Sequence, residues 1–205
     1  MRIIHQLLLG SAALSLMAPY ASAHFRLVEP EQWIEQAPNG DPQKAAPCGG
    51  TSADPGKPTN KVTRVQGGDK LHIKVLETVY HPGFYRIALA VNSRSELPKD
   101  PVAKTESRPA RPWSMSASIE YPPMPPIIAN GLWPHVTKPE KEFETDIEVP
   151  NINCAKCTLQ IIQFMANHAL NKDGEYSYHH CADLNIRANP YKPLDTRYPA
   201  EKTNP

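Results

Sequence analysis

The sequence predicts an all-β protein, an antiparallel β-sandwich with long loop insertions. Short stretches typical of strands recur along the chain and are separated by turn residues. We find no long segment with the 3.6-residue periodicity of an amphipathic helix. Proline accounts for 23 of the 205 residues. Because proline fixes φ and lacks an N–H donor, this usage disfavours a helical bundle and favours short strands joined by loops.

The length suits one domain that carries an insertion, and it is sufficient to bury a core. The 22 basic and 21 acidic residues nearly balance. This balance excludes a strongly basic nucleic-acid binder and gives no general attraction to anionic membranes. We therefore expect a monomer that binds neither nucleic acid nor, once processed, a membrane.

The strands can be predicted in order along the chain. Residues 24–60 have little periodicity and many Pro, Gly and Asn residues, so we expect a loop there with a short helical turn at 31–36. After this loop, the segment LHIKV alternates between apolar and polar residues, whereas TLQIIQFM is almost wholly apolar. The predicted strands cover residues 61–65, 71–75, 84–91, 145–149, 158–165 and 175–186.

The strand pattern fails in the middle of the chain. Eleven prolines fall between residues 98 and 150, and residues 122–126 read PPMPP. We interpret residues 93–150 as a long proline-rich insertion that either forms part of a binding face or is a tolerated surface loop. The polar tail at residues 188–205 is expected to be poorly ordered. The domain itself would then span residues 24–187.

The first 23 residues have the pattern of a secretory signal peptide. Arg2 supplies the positive charge, residues 3–17 form an apolar stretch, and Ala21-Ser22-Ala23 is a small-residue cleavage site. No other stretch approaches the roughly 20 apolar residues needed to span a bilayer. We expect a secreted or periplasmic protein whose mature chain begins at His24.

A histidine at the mature N-terminus is a potential metal chelator. Its α-amine and its imidazole can close a chelate ring on one ion. Because an α-amine titrates near ~7.7, a metal can displace its proton at mild pH. The alternative is that His24 follows the cleavage site by chance. A second histidine that fits the same site would favour the metal.

Three further motifs follow in order: VYHPGFYR at residues 79–86, CAKCTLQ at 154–160 and YHHCAD at 178–183. Together with His24, they resemble the lytic polysaccharide monooxygenases and their relatives. Those are copper enzymes built on an immunoglobulin-like or fibronectin-III-like sandwich. The resemblance implies a histidine brace, in which the N-terminal histidine binds copper through its amine and one ring nitrogen. A second histidine completes a T-shaped site of three nitrogens.

The resemblance also assigns roles to individual residues. His24 matches the first ligand, and His81 matches the second because it opens the family pattern H-x-G-x-[WYF]. Tyr178 matches the aromatic residue that occupies an axial position over the copper. Many members carry Gln or Glu two residues earlier, where this sequence has Tyr176. Gln163 on the neighbouring strand is the candidate substitute, with an ordinary polar position in the sheet as the alternative.

The implied activity is oxidative cleavage of a polysaccharide by hydroxylation of a C–H bond next to a glycosidic link. It would use one copper ion per mature chain, an external electron donor and a surface of the chitin or cellulose type. Imidazole and amine nitrogens suit Cu(II), which leads the divalent affinity order. Trp33, Trp113 and Trp133 are candidates for stacking on sugar rings, with a place in the core as the alternative.

Two other functions remain open. The first is a protein that binds or handles copper with the same brace and without polysaccharide oxidation. The missing Gln or Glu before Tyr178 and the absence of an appended carbohydrate-binding module favour this alternative. The second is a metal-free adhesin or structural domain, which leaves the position of His24 unexplained.

The remaining histidines are expected to serve packing or the surface. On a strand, His179 and His180 face opposite sides, and a packed or solvent-facing role is favoured for each. His180 shares a face with Tyr178, so an approach to the copper ligands is its alternative role. His72, His135 and His168 are predicted to be surface residues.

The four cysteines predict two disulfides, as expected in an exported protein. A zinc site needs four ligands, and a thioredoxin-like motif needs a βαβ context that the sequence lacks. We favour the pairings in which Cys48 and Cys181 each bond one member of the pair Cys154 and Cys157. Either pairing would fasten the N-terminal loop, and with it His24, to the sandwich.

Overall fold

The computed structural model describes residues 23–202 and is an all-β sandwich, as the sequence predicts. Its strands are β1 (His24–Glu29), β2 (Val62–Gln66), β3 (Lys70–Val79), β4 (Gly83–Ala90), β5 (Ala103–Ser107), β6 (Pro112–Ala117), β7 (Ile127–His135), β8 (Phe143–Glu148), β9 (Cys154–Met165) and β10 (Ser177–Arg187). A short 3-10 helix, Arg94–Glu96, follows β4. Residues 23–202 contain no α-helix.

Two sheets face each other across the core. One has three strands in the order β1-β3-β8, and the other has five in the order β2-β10-β9-β4-β7. Strands β5 and β6 form a separate hairpin. Because β2 runs parallel to β10, the five-stranded sheet is mixed, whereas the sequence predicts antiparallel pairing throughout.

The core explains the two kinds of strand pattern. In β3, Leu71, Ile73 and Val75 point inward and alternate with partly exposed polar residues. Strand β9 has twelve residues, and the last nine, from Cys157 onward, are all buried without alternation. A strand with this pattern is covered on both faces. Here the two sheets enclose the inner face, while loops cover the outer face.

The strand predictions miss β1 at the N-terminus and β5, β6 and β7 inside the predicted insertion. Residues 24–29 form β1 instead of a loop, since Phe25 and Leu27 are fully buried against the second sheet. No helical turn forms at residues 31–36. Strand β7 lies inside the predicted insertion and contains Gly131 and Pro134, which obscure its pattern. It is an edge strand of its sheet, the position in which proline is tolerated.

The proline-rich insertion therefore contributes structure to both sheets, through β7 and β8. The tail, which the sequence predicts to be poorly ordered, packs against the sandwich as far as Lys202. The amide of Asn151 donates to three carbonyl oxygens of residues 189–193. Tyr198 packs in the core and is 9% exposed.

The four cysteines are paired, but the favoured connectivity is wrong. Cys48 bonds Cys181, and Cys154 bonds Cys157. The reason is the alternation of the strands. Cys181 points to the outer face of the five-stranded sheet with Cys48, whereas Cys157 points into the core between the sheets. Residues on opposite faces of a sheet cannot bond each other.

No helix within residues 23–202 has the length and apolar character needed to cross a membrane. The N-terminal segment predicted as a signal peptide lies outside the described residues, except for Ala23.

Candidate functional site

The predicted site residues converge at one end of the sandwich. Strand β1 begins there and pairs His24 with Val79 near the end of β3. His81 follows two residues later, in the turn before β4. On the facing sheet, Tyr178 near the start of β10 pairs with Gln163 near the end of β9. The topology therefore brings the start of β1, where His24 lies, to the turn that carries His81.

The two predicted ligands, His24 and His81, are the ends of a row of four neighbouring rings. The ring centroids of His24 and Tyr178 lie 5.2 Å apart, and those of Tyr178 and His168 lie 6.2 Å apart. The rings of His168 and His81 are 4.8 Å apart. All four residues are buried, with exposures between 1% and 6%. We call His24, Tyr178, His168 and His81 the ring cluster.

The place of His168 corrects the sequence prediction of a surface residue. It is 3% exposed, and the β5–β6 hairpin holds its backbone. Ser114 donates its N–H to the carbonyl of His168 at 2.9 Å and accepts the N–H of His168 at its hydroxyl oxygen at 3.1 Å. The proline-rich insertion thus builds one wall of the ring cluster. Sequence reasoning missed this because the contact joins segments more than 50 residues apart.

His24 is oriented by a carboxylate. Its Nε2 lies 3.1 Å from Oδ2 of Asp41, and its side chain is 8% exposed. The hydrogen bond from His24 lowers the pKa of Asp41, and partial burial opposes this shift. Of the two ring nitrogens, only Nδ1 is close enough along the side chain to chelate a metal together with the α-amine of the same residue. The contact with Asp41 uses the other nitrogen.

The strand that carries His24 is fixed by two buried side chains. The N–H of Phe25 donates to Oε1 of Gln43 at 3.1 Å. Nε2 of His180 lies 3.0 Å from the carbonyl oxygen of Phe25, to which it donates. Burial lowers the pKa of His180 to about 4, so this histidine is neutral at pH 7. His180 is therefore packed, and it holds the backbone beside His24.

His81 has the properties of a neutral ligand. Burial lowers its pKa, and metals bind the neutral imidazole. Its Nδ1 is buried and has no hydrogen-bond partner among the described residues. Its backbone N–H donates to Oε1 of Glu77 at 3.2 Å. An unpaired buried imidazole nitrogen is costly unless something binds it.

Sequence reasoning missed Glu77, a carboxylate whose side chain is fully buried beneath the site. Its Oε1 accepts from the amide of Gln163 and lies 3.3 Å from Nε2 of His135. Burial opposes a charge on His135, but the hydrogen bonds to Glu77 and to the carbonyl of Trp133 outweigh it and raise the pKa of His135. His135 is thus half-buried in an ion pair, and the prediction of a surface residue is wrong. A signal for Glu77 exists, because it continues the inward series 71, 73 and 75.

Gln163 is fully buried, and its amide nitrogen is used by Glu77. Tyr176, at the position where many members of the resembled family have Gln or Glu, packs with Phe84 and Phe164 in a cluster apart from Tyr178.

Other predicted residues lie elsewhere. His179 is fully buried on the outer face of its sheet and pairs with Asp100 at 2.9 Å. His72 is a surface residue, as predicted, and pairs with Asp146. The three tryptophans are all partly buried: Arg94 stacks on Trp33, Arg108 stacks on Trp113, and Trp133 packs on Tyr85 and Phe143.

In comparisons with known proteins, the sequence matches no family model and no curated protein. No group of three or more His, Cys, Asp or Glu side chains that could hold a metal occurs within residues 23–202. A histidine brace uses two such side chains and an α-amine, a donor set outside that description.

Proposed function

We propose that the processed protein is an exported copper-binding protein whose brace consists of the His24 amine, the His24 ring and the His81 ring. The observation that carries this proposal is the contact of Asp41 with Nε2 of His24. With Nε2 held by Asp41, Nδ1 is the ring nitrogen that we propose to chelate the metal together with the amine. The burial and neutrality of His81 support the second ligand.

The donor set fits copper. Two imidazoles and an amine are nitrogen ligands, which favour Cu(II) among divalent ions. In the precursor the nitrogen of His24 is an amide bonded to Ala23, and an amide nitrogen lacks the lone-pair basicity of an amine. Cleavage after Ala23 thus completes the site.

We further propose that the copper serves in oxidative cleavage of polysaccharides. Copper, when bound, would supply one-electron chemistry toward oxygen or peroxide. The chain's own contribution would be to keep His81 neutral through burial and to hold Tyr178 against His24. The buried rings of Tyr178 and His168 exclude water from the inner side of the site.

The first test is a copper titration of the correctly processed protein, followed by electron paramagnetic resonance. We expect one tight site with nitrogen hyperfine splitting. His24→Ala and His81→Ala should each abolish tight binding, because each removes a ring ligand. One extra residue before His24 should be nearly as damaging, since it converts the amine to an amide. Sub-micromolar affinity in any of the three variants would reject the brace.

A copper-handling protein is the second candidate, and one observation favours it. The amide nitrogen of Gln163 is used by Glu77, so the residue proposed to act at the metal is already engaged. A product assay on chitin and cellulose with a reductant separates the two functions. Oxidised sugars would support the monooxygenase. A tight copper site that yields no oxidised product from any glycan would favour copper handling.

A further inference from the structure

Asp41 contacts His24 through one oxygen that also receives a second donor. Its Oδ2 accepts from Nε2 of His24 at 3.1 Å and from the amide of Asn39 at 2.9 Å. An ionised carboxylate can only accept hydrogen bonds. The proton of a neutral His24 ring must therefore be on Nε2, which leaves Nδ1 as the lone-pair nitrogen.

The loop that carries Asp41 is built to lie against β1. We call residues 37–50 the Asp41 loop. Gly40 has a φ of +103°, and a Cβ there would lie 2.0 Å from the carbonyl oxygen of Phe25. Only glycine permits so close an approach. Packing of Gly40 against β1 thus fixes the backbone from which the Asp41 side chain reaches His24.

Contacts at both ends of the Asp41 loop hold it in place. Thr78 at the end of β3 donates its hydroxyl to the carbonyl of Asn39 at 2.6 Å. Gln43 accepts the N–H of Phe25 at its side chain and the N–H of His179 at its carbonyl. The Cys48–Cys181 disulfide then fastens the loop to β10. The loop therefore spans from one sheet to the other across the start of the mature chain.

From this geometry we infer that Asp41 is a positioning residue for the metal site, which fixes the tautomer and the ring orientation of His24. The inference rests on the proposed function and deepens it. A carboxylate on the distal nitrogen of a ligating histidine also raises the basicity of the ligating nitrogen. Its negative charge favours Cu(II) over Cu(I) at the same time, so Asp41 lowers the reduction potential of the site.

The first experiment uses metal-free mature protein and long-range ¹H–¹⁵N NMR of the imidazoles at a pH where His24 is neutral. We expect the wild type to carry its proton on Nε2. Asp41→Ala should give a mixture of tautomers, whereas Asp41→Asn should retain the Nε2 proton because its amide oxygen can still accept. A proton on Nδ1 in the wild type, or an unchanged tautomer in Asp41→Ala, would overturn the inference.

The second experiment measures copper binding and the reduction potential of the same variants. Removal of such a partner typically costs 10–100-fold in metal affinity, and we expect about that loss of Cu(II) affinity in Asp41→Ala. Asp41→Asn should recover part of the affinity but retain a raised potential, since it restores the hydrogen bond without the charge. Asp54→Ala is the matched control, because Asp54 is an exposed carboxylate near the same loop. An affinity and a potential in Asp41→Ala equal to those of the control would reject the role.

The two experiments separate this inference from the proposed function. The NMR measurement needs no copper, so it tests the effect of Asp41 on His24 directly. A wild-type protein that binds no copper would reject the proposed function while the tautomer result still stands. If the wild type binds copper tightly and the Asp41 variants match it in tautomer, affinity and potential, the positioning role of Asp41 is rejected and the proposed function is retained. Thermal unfolding of each variant shows whether a loss comes from unfolding.

Discussion

At the scale of single residues, the histidines at this end of the sandwich differ in what they contact. His24 faces a carboxylate, His180 faces a backbone carbonyl, and His135 lies between a carbonyl and a buried carboxylate. A carboxylate stabilises the charged ring, while burial against a carbonyl favours the neutral one. Within one small region, histidine is thus held by a loop carboxylate as His24, buried and neutral as His180, and paired with a buried carboxylate as His135.

His180 makes the stability of the metal-free protein depend on pH. Its pKa is about 4 in the folded protein, against 6.5 for an ordinary histidine. Above pH 6.5 the ring is neutral in both states. As the pH falls from there toward 4, only the unfolded chain takes up the proton, so the free energy of unfolding decreases. We expect His180→Gln, which keeps an N–H donor for Phe25, to lose less stability over this range than the wild type.

Urea unfolding at pH 7.5 and pH 4.5 measures this difference. His72→Gln is the control, because His72 is exposed and its pKa is raised by the hydrogen bond to Asp146. The stability that His72 contributes is present at low pH and is lost as the pH rises, which is the opposite sign. An equal loss of stability in His180→Gln and the wild type would show that burial of His180 does not govern the acid response.

At the scale of elements, the two disulfides close chain loops of very different length. Cys48 and Cys181 are separated by 133 residues and join the Asp41 loop to β10, whereas Cys154 and Cys157 are separated by three. In the chain-entropy account, stabilisation grows with the logarithm of the closed loop, giving about 5 kcal/mol for the first and about 2 kcal/mol for the second. We expect Cys48→Ala/Cys181→Ala to cost more stability and also to weaken Cu(II) binding, because it loosens the loop that orients His24.

The comparison is made by urea unfolding and copper titration of both double variants. The Cys154→Ala/Cys157→Ala protein is the matched control, since it loses two cysteines without touching the Asp41 loop. We expect it to keep the copper affinity of the wild type. Equal copper affinities in the two double variants would mean that the disulfide does not hold the ligand geometry.

The elements also show what a sequence can reveal. Strands β3 and β9 are predictable because their side chains alternate or are wholly apolar, and burial alone decides both patterns. Strand β7 is not predictable, because Gly131 and Pro134 interrupt its apolar pattern. Proline is tolerated in β7 because it is an edge strand of its sheet. Within the site, local motifs single out His24, His81 and Tyr178. Glu77 is indicated only by the alternation of β3. Asp41 and His168 carry no local signal, since the packing of distant segments brings them to the site.

At the scale of the whole molecule, the five-stranded sheet lies at the centre of three layers. The three-stranded sheet covers one face, while the N-terminal loop and the β5–β6 region cover parts of the other. The N-terminal loop supplies Asp41 to one end of the sandwich, and the β9–β10 loop of the central sheet supplies His168. Loops and strand ends from both sheets therefore build this end of the sandwich together.

Copper bound at the proposed site should consequently stabilise the entire fold, since the proposed ligands His24 and His81 lie on two segments joined only by native structure. A ligand at 100 times its dissociation constant adds about 2.7 kcal/mol to the free energy of unfolding, which for a domain of this size raises Tm by roughly 5–10 °C. We expect this rise for protein that begins at His24. Protein that retains Ala23 should show little rise, because the amide nitrogen of His24 cannot bind in the same way. Differential scanning calorimetry of both forms, with and without one equivalent excess of Cu(II), makes the measurement. A rise of equal size in the two forms would place the copper at a site that does not need the mature N-terminus.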